Sequence, residues 1–87
     1  MKVKELLSDE SKWTQGCYAR DAFGVSIPFD ADAAVCWCLA GAIHRVYGPE
    51  PIHLRILRRV NGSLSEWNDA PDRTFAEVKA LVEELDI

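Results

Sequence analysis

Residues 33–43 read AAVCWCLAGAI, a run in which no side chain is charged or carries an amide or hydroxyl group. A helix that is apolar on every side has to be buried on every side. The run is too short to cross a bilayer, which takes about 20 apolar residues, so no membrane is expected as a partner. It therefore predicts a buried central helix over residues 31–47 in a small domain. The run thus predicts how the domain is built, but it does not indicate a function.

The length of 87 residues and the formal net charge of −4 set the first limits. A chain of this size forms one domain, here residues 1–87. Domains that bind nucleic acid are usually strongly basic. The negative net charge therefore argues against nucleic acid as a partner. The odd count of three cysteines and the polar start of the chain favour reduced thiols in a cytoplasmic protein. The sequence leaves the oligomeric state open.

Apolar residues at helical spacing predict three further helices around the central one. The first covers roughly residues 2–10. The third begins at Pro49 and Pro51 and ends at Asn61-Gly62, with an apolar stripe formed by Ile52, Ile56, Leu57 and Val60. The last begins at a capping box, Thr74 with Glu77, and runs to about Leu85. The central helix is expected to be capped by Asp30 or Asp32 and to stop at Gly48.

Two short alternating runs flank Asp21 and Gly24, which predicts a small β-hairpin within residues 17–27. An irregular loop packed by Tyr18, Phe23 and Phe29 is the alternative. The expected fold class is mainly α, a single domain of about four helices around the central helix, with or without this hairpin. The expected core comprises Leu7, Trp13, Val35, Leu39, Ile43, Ile56, Val60, Trp67, Phe75, Val78 and Leu85.

Four pieces of the chain, in this order and spacing, carry a resemblance: WTQG at 13–16, YARD at 18–21, VCWCLAGAI at 35–43 and WNDAPDRTFAEV at 67–78. They resemble the family of small bacterial and phage proteins called domain of unknown function 6197. The segment from Pro49 to Ser65 departs from the family pattern. The resemblance implies a bacterial or phage source and a cytosolic setting, and it carries over no catalytic residue.

Cys36 and Cys38 have one residue between them, which is neither the spacing of a zinc knuckle nor that of a redox pair. A buried cysteine packs as a small hydrophobe, so we expect both to be structural. No metal and no cofactor is expected.

A candidate ligand site lies between the central helix and the loop at 67–73. Polar groups that converge beside aromatic walls are typical of such sites; here they would be Trp37, His44, Trp67, Asn68, Asp69 and Arg73. The structural alternatives are turn chemistry in the loop and a favourable position for His44 at a helix end. Gln15 is expected to reach one of the loops, and Arg20 with Asp21 to form a surface ion pair.

The basic residues Arg55, Arg58 and Arg59 form one patch, since residues 49–61 sum to +2 while residues 66–87 sum to −5. They either face the acidic last helix and water, or bind an acidic or phosphate-bearing partner. The expected function is a non-enzymatic interaction module that docks on a host or phage protein complex through this patch. A small-molecule binding protein with the site described above is the alternative.

Catalysis has little support in the sequence, because it contains no recognisable motif that pairs a nucleophile with a base. The least implausible version uses His44 as a general base beside Asp69.

Overall fold

The structure, a computed structural model, describes residues 1–48, 56, 59–60 and 63–87. It combines short strands with helices: α1 (Val3–Leu6), a 3-10 turn (Glu10–Lys12), β1 (Ala19–Arg20), β2 (Ser26–Ile27), β3 (Cys36–Trp37), α2 (Leu39–Tyr47), α3 (Leu64–Asp69) and α4 (Phe75–Leu85). Ile56, Arg59 and Val60 are also helical. The prediction of a mainly α fold is therefore wrong, because helices are combined with a three-stranded antiparallel sheet.

The strands lie in the order β2-β1-β3, with Ala19 opposite both Ile27 and Trp37. The predicted hairpin within residues 17–27 is present as the pair β1–β2. The alternative loop packed by aromatic side chains is wrong, since Phe23 is 92% exposed and Tyr18 is 52% exposed.

The third strand lies inside the segment predicted as the start of the central helix. β1 pairs with β2 on one edge and with β3 on the other. Beside β3, Val35 N–H donates to the Arg20 carbonyl at 2.9 Å, and Cys38 N–H donates to the Tyr18 carbonyl at 3.1 Å. An apolar run fits a buried strand as well as a helix, and pairing with β1 decides for the strand because it also satisfies the carbonyls of Tyr18 and Arg20. The helix over 31–47 is thus wrong in its first half, and α2 begins at Leu39.

The cap of α2 also differs from the prediction. Neither Asp30 nor Asp32 caps it; the Cys38 sulfur accepts a hydrogen bond from Gly41 N–H at 3.2 Å. The predicted end is confirmed, because Gly48 follows the last turn with a φ of 62°, a value that favours glycine.

Gly41 is the point of closest approach between α2 and the sheet. A Cβ atom at this position would lie 2.2 Å from the Tyr18 carbonyl oxygen. Because that oxygen accepts the Cys38 N–H bond, the strand cannot move away freely. Glycine therefore sets the distance at which the helix crosses β1.

The core joins both ends of the chain to α2. Its buried side chains include Val3, Leu7, Ala19, Trp37, Leu39, Ile43, Ile56, Val78, Leu81, Val82 and Ile87. Of the predicted core, Leu7, Leu39, Ile43, Ile56 and Val78 are buried, while Trp13, Val60, Trp67, Phe75 and Leu85 are half-buried against it. Val35 was predicted wrongly, since it is 47% exposed at the end of the sheet.

The terminal helices differ in how well the sequence predicts them. The first is shorter than residues 2–10 and is followed by the separate 3-10 turn. In α4 the capping box of Thr74 and Glu77 is confirmed, as is the end at Leu85. Hydrogen bonds from the backbone N–H of Thr74 and from the Arg73 guanidinium lower the pKa of Glu77.

The segment around residues 67–73, predicted as a loop, contains part of the helix α3. The Ser63 hydroxyl caps the start of this helix.

The two ends of the chain are held together beside α4. Val3 N–H and the Tyr47 hydroxyl both donate to the Ile87 carbonyl, at 2.6 and 2.5 Å. Asp86 pairs with Lys2 and Lys4 at 2.8 and 2.6 Å. Hydrogen bonds from these two ammonium groups lower the pKa of Asp86 to about 2.

Among the described residues, no helix has the length and apolar character that a bilayer crossing requires.

We predict that Gly41→Ala, and more strongly Gly41→Leu, destabilises the fold by overpacking, by about 1–3 kcal/mol. The reason is the 2.2 Å approach to the Tyr18 carbonyl. Urea unfolding followed by tryptophan fluorescence measures the change. Ala76→Gly, at an exposed position of α4, is a control for helix propensity alone, at about 1 kcal/mol. An unchanged midpoint for Gly41→Ala would contradict this packing.

We predict that Asp86→Asn removes a pH-dependent part of the stability. The folded pKa of about 2 lies below the ordinary value of 3.8. The contribution is therefore complete above about pH 4 and is lost as the pH falls through the folded pKa. Asn tolerates the left-handed backbone at this position, where φ is 53°.

Urea midpoints between pH 2 and 6 test this prediction. The wild type is expected to exceed Asp86→Asn at pH 6, and the difference is expected to shrink towards pH 2. Asp72→Asn, an exposed carboxylate outside the ion pairs of the described residues, serves as the charge-matched control. Parallel curves for wild type and Asp86→Asn would count against the pairing.

Candidate functional site

Helix α3 separates two clefts on the surface of the protein. Ser65 and Asp69 are four residues apart and lie on one side, whereas Trp67 lies on the other, as helical spacing requires. Leu64 and Asn68 are buried between them. Of the six residues predicted as a ligand site, the four from Trp67 to Arg73 are thus divided by α3, a helix that the sequence did not predict.

Asn68 is a completely buried polar residue. Its side chain makes four hydrogen bonds, three of them to residues distant in the sequence. Its Oδ1 accepts from Trp13 Nε1 at 2.7 Å and from Leu39 N–H at 3.0 Å. Its Nδ2 donates to the Thr14 carbonyl at 3.1 Å and to Asp69 Oδ1 at 2.9 Å. Since Leu39 N–H is one of the unpaired donors at the start of α2, Asn68 caps that helix from another element.

The loop before β1 is held against α3 by further bonds. Gln15 Nε2 donates to the carbonyls of Asn68 and Ala70 at 2.7 and 3.1 Å, so the expected reach of Gln15 is confirmed. Gly16 N–H donates to Asp69 Oδ1 at 3.0 Å. These bonds fix the spacing between the loop and the helix.

Arg20 is part of the same loop region and does not pair with Asp21 in the described structure. Its guanidinium donates to Thr14 Oγ1 at 2.9 Å and to the carbonyls of Gln15 and Gly24 at 3.1 and 3.0 Å. The expected surface ion pair is replaced by bonds that connect the loop with the hairpin turn.

The first cleft, here called the thiol cleft, has a volume of about 250 Å³. It lies between the loop, the start of α2 and α3, and it is lined by Gly16, Cys17, Tyr18, Cys38, Ser65 and Asp69. Among the described residues that line it, Asp69 is the one that carries a charge. Burial raises the pKa of the Cys38 thiol, so this thiol is neutral at pH 7.

The second cleft, here called the arginine cleft, has a volume of about 300 Å³ and is lined by Arg59, Trp67, Arg73, Glu77, Ala80, Leu81 and Glu84. The Arg73 guanidinium carbon lies 3.9 Å from the centroid of the Trp67 ring, and its Nε donates to the Trp67 carbonyl at 2.8 Å. This geometry joins a cation–π contact to a hydrogen bond with the same residue.

Both arginines of this cleft already have acidic partners on α4. Arg73 pairs with Glu77 at 2.8 Å, and Arg59 pairs with Glu84 at 2.5 Å. The charged groups that line the cleft therefore cancel. Arg55 and Arg58 lie outside the described residues, so the partner-binding face predicted for the three arginines stays a prediction.

Trp37 and His44 lie away from both clefts. Trp37 is buried in β3, and its Nε1 donates to the Phe29 carbonyl at 3.0 Å. The His44 ring lies 5.4 Å from the ring of Phe29 and 6.5 Å from that of Tyr18, measured between centroids. The predicted ligand residues thus lie in four places: Asp69 in the thiol cleft, Trp67 and Arg73 in the arginine cleft, Asn68 in the core, and Trp37 with His44 beside Phe29. His44 lines neither cleft with Asp69.

A third surface feature, here called the sheet end, consists of Phe23, Val25 and Val35. These side chains are 92%, 56% and 47% exposed. The sequence did not predict this surface, since Val35 was expected in the core. The turn between Asp21 and Gly24 was a usable signal, because the two residues inside it, Ala22 and Phe23, are both exposed.

The part of the chain that the structure describes contains no group of three or more His, Cys, Asp or Glu side chains able to hold a metal ion.

We predict that Asn68→Ala destabilises the protein by about 3 kcal/mol, because it leaves buried donors and acceptors without partners. Trp13 Nε1 and Leu39 N–H lose their acceptor, and the Thr14 carbonyl loses its donor. Urea unfolding provides the measurement, with Glu66→Ala on the exposed side of α3 as the control. Equal stability of the two variants would show that Asn68 does not hold these elements together.

A family model described as "Family of unknown function (DUF6197)" matches residues 1–85. The chain has no match among curated proteins or among solved structures. Because the match covers nearly the whole chain, this protein belongs to the DUF6197 family.

Proposed function

We propose that this protein is a non-enzymatic interaction module that docks on another protein through the sheet end. The observation that carries the proposal is the nearly complete exposure of Phe23 on an ordered turn. Aromatic side chains that are held rigidly and exposed are typical anchors of protein interfaces.

The order of this turn is visible in its hydrogen bonds. Asp21 Oδ1 accepts from Phe23 N–H at 2.9 Å and from Val25 N–H at 3.0 Å. Gly24 N–H donates to the Asp21 carbonyl at 3.0 Å, and Arg20 donates to the Gly24 carbonyl. Because the backbone is fixed on both sides of Phe23, binding through its ring costs little conformational entropy.

The valines continue the apolar surface across the strands. Asp21 N–H donates to the Val25 carbonyl at 3.0 Å, and Val35 N–H donates to the Arg20 carbonyl at 2.9 Å. Val25 and Val35 thus flank the end of β1 on both sides. Together with Phe23 they form an exposed apolar surface that the described residues do not cover.

The size and charge of the sheet end indicate the kind of partner. Three side chains of this size present on the order of 400 Å², well below the roughly 800 Å² that each partner contributes to a stable interface. Any partner, a second copy included, must therefore also contact residues around these three side chains, so the charge of those residues decides between partners. Residues 18–36 contain three aspartates and one arginine, and that arginine is bonded inward. The partner is a protein with an apolar pocket for Phe23 and a basic rim.

Purification of binding proteins with the wild-type chain, followed by titration of the purified partner, tests this proposal. Phe23→Ser is expected to raise the dissociation constant at least about tenfold, as truncation of an anchor does, while thermal stability stays unchanged. Phe23→Leu is expected to retain most of the affinity, and Lys79→Ser on α4 is the exposed control.

Three results would overturn the proposal. The first is equal affinity of wild type and Phe23→Ser for the purified partner. The second is a partner that lacks an apolar pocket at the contact. The third is concentration-dependent self-association that Phe23→Ser abolishes in sedimentation, since the sheet end would then bind a second copy.

A further inference from the structure

We propose that the thiol cleft binds a primary alkylammonium group, carried either by a small free amine or by a lysine side chain. This site lies apart from the sheet end, and the inference does not rest on the proposed docking function.

The charge of the cleft comes from the carboxylate of Asp69, which can accept further hydrogen bonds. Asp69 Oδ1 accepts from Gly16 N–H and Asn68 Nδ2. Among the described residues, Asp69 has no cationic partner and its Oδ2 accepts no hydrogen bond. A carboxylate at the wall of a cleft binds an ammonium group through charge-assisted hydrogen bonds.

The rest of the lining suits the other parts of such a ligand. Ser65 lies one helical turn before Asp69, and within the described structure its hydroxyl makes no hydrogen bond. Tyr18 also lines the cleft and is half-exposed. The neutral Cys38 thiol and Cys17 provide soft apolar contacts for methylene groups.

The volume restricts the ligand to a small group. About 250 Å³ equals roughly eight water molecules at about 30 Å³ each. This lies just below the range of sites for drug-sized ligands. A four- or five-atom chain with an ammonium end fits this space.

The rigidity of the walls supports a preformed site. Gly16 is bonded to Asp69, Gln15 to the carbonyls of Asn68 and Ala70, and Cys38 N–H to the Tyr18 carbonyl. The loop, the helix and the strand that form the cleft are therefore fixed relative to one another before a ligand enters.

Titration with n-butylammonium, monitored by amide chemical shifts under reducing conditions, tests the inference. We expect saturable shifts at Gly16–Tyr18, Cys38, Ser65 and Asp69, with a dissociation constant on the order of 1–10 mM. 1-Butanol and butyrate, which lack the cation, are expected to cause no saturable shift there. N-acetyl-lysine methylamide forms the second arm, and its affinity relative to n-butylammonium distinguishes a lysine side chain from a free amine as the natural source.

Asp69→Asn is the decisive variant, because the amide oxygen can still accept the Gly16 bond while the charge is lost. We expect it to weaken n-butylammonium binding at least about tenfold. Asp72→Asn, with the same change in net charge, is expected to bind like the wild type, as is Phe23→Ser. Ser65→Ala is expected to bind a few-fold more weakly and leaves the Gly16 bond intact.

Two results would overturn the inference. One is equal binding by Asp69→Asn and the wild type. The other is a set of shifts that does not saturate and spreads over the acidic surface of α4, as weak screening by a cation would cause. Failure of the docking proposal leaves both readouts unaffected, because the titration uses no protein partner.

Discussion

The structure depends on the hydrogen bonds of one buried side chain, Asn68. A two-residue strand and a six-residue helix have little stability alone, so β3 and α3 need a connection that fixes their positions. Asn68 provides it, because its amide bonds the loop before β1 and the first N–H of α2 together. A buried amide with all its partners is directional, whereas apolar contacts alone would permit several arrangements of such short elements.

Glycine at position 41 is the second constraint, and it acts with the first. The 2.2 Å approach of a Cβ there to the Tyr18 carbonyl means that the helix lies directly on the strand backbone. Cys38 connects the two, since its N–H completes the ladder and its sulfur caps the helix. The chain thus changes from strand to helix within two residues and needs no charged cap.

This compact arrangement leaves three different surfaces. The described charges of the arginine cleft cancel, because Arg59 and Arg73 each pair with a glutamate. The thiol cleft keeps a carboxylate without a cation, and the sheet end keeps apolar side chains in water. The proposed ligand and the proposed partner are assigned to the last two, because the described structure gives their charged or apolar groups no partner there.

The sequence by itself determined the ends of helices, since the capping box at Thr74 and the stop at Gly48 are local features. It also determined the turn at Asp21–Gly24 and much of the core. Only the tertiary structure decided that Cys36–Trp37 is a strand, because pairing with β1 outweighs an apolar pattern that fits helix and strand alike. The same holds for the site, because the short helix α3 forms only in the folded protein. This helix places Trp67 in the arginine cleft, Asn68 in the core and Asp69 in the thiol cleft, which the order of the three residues in the sequence does not reveal.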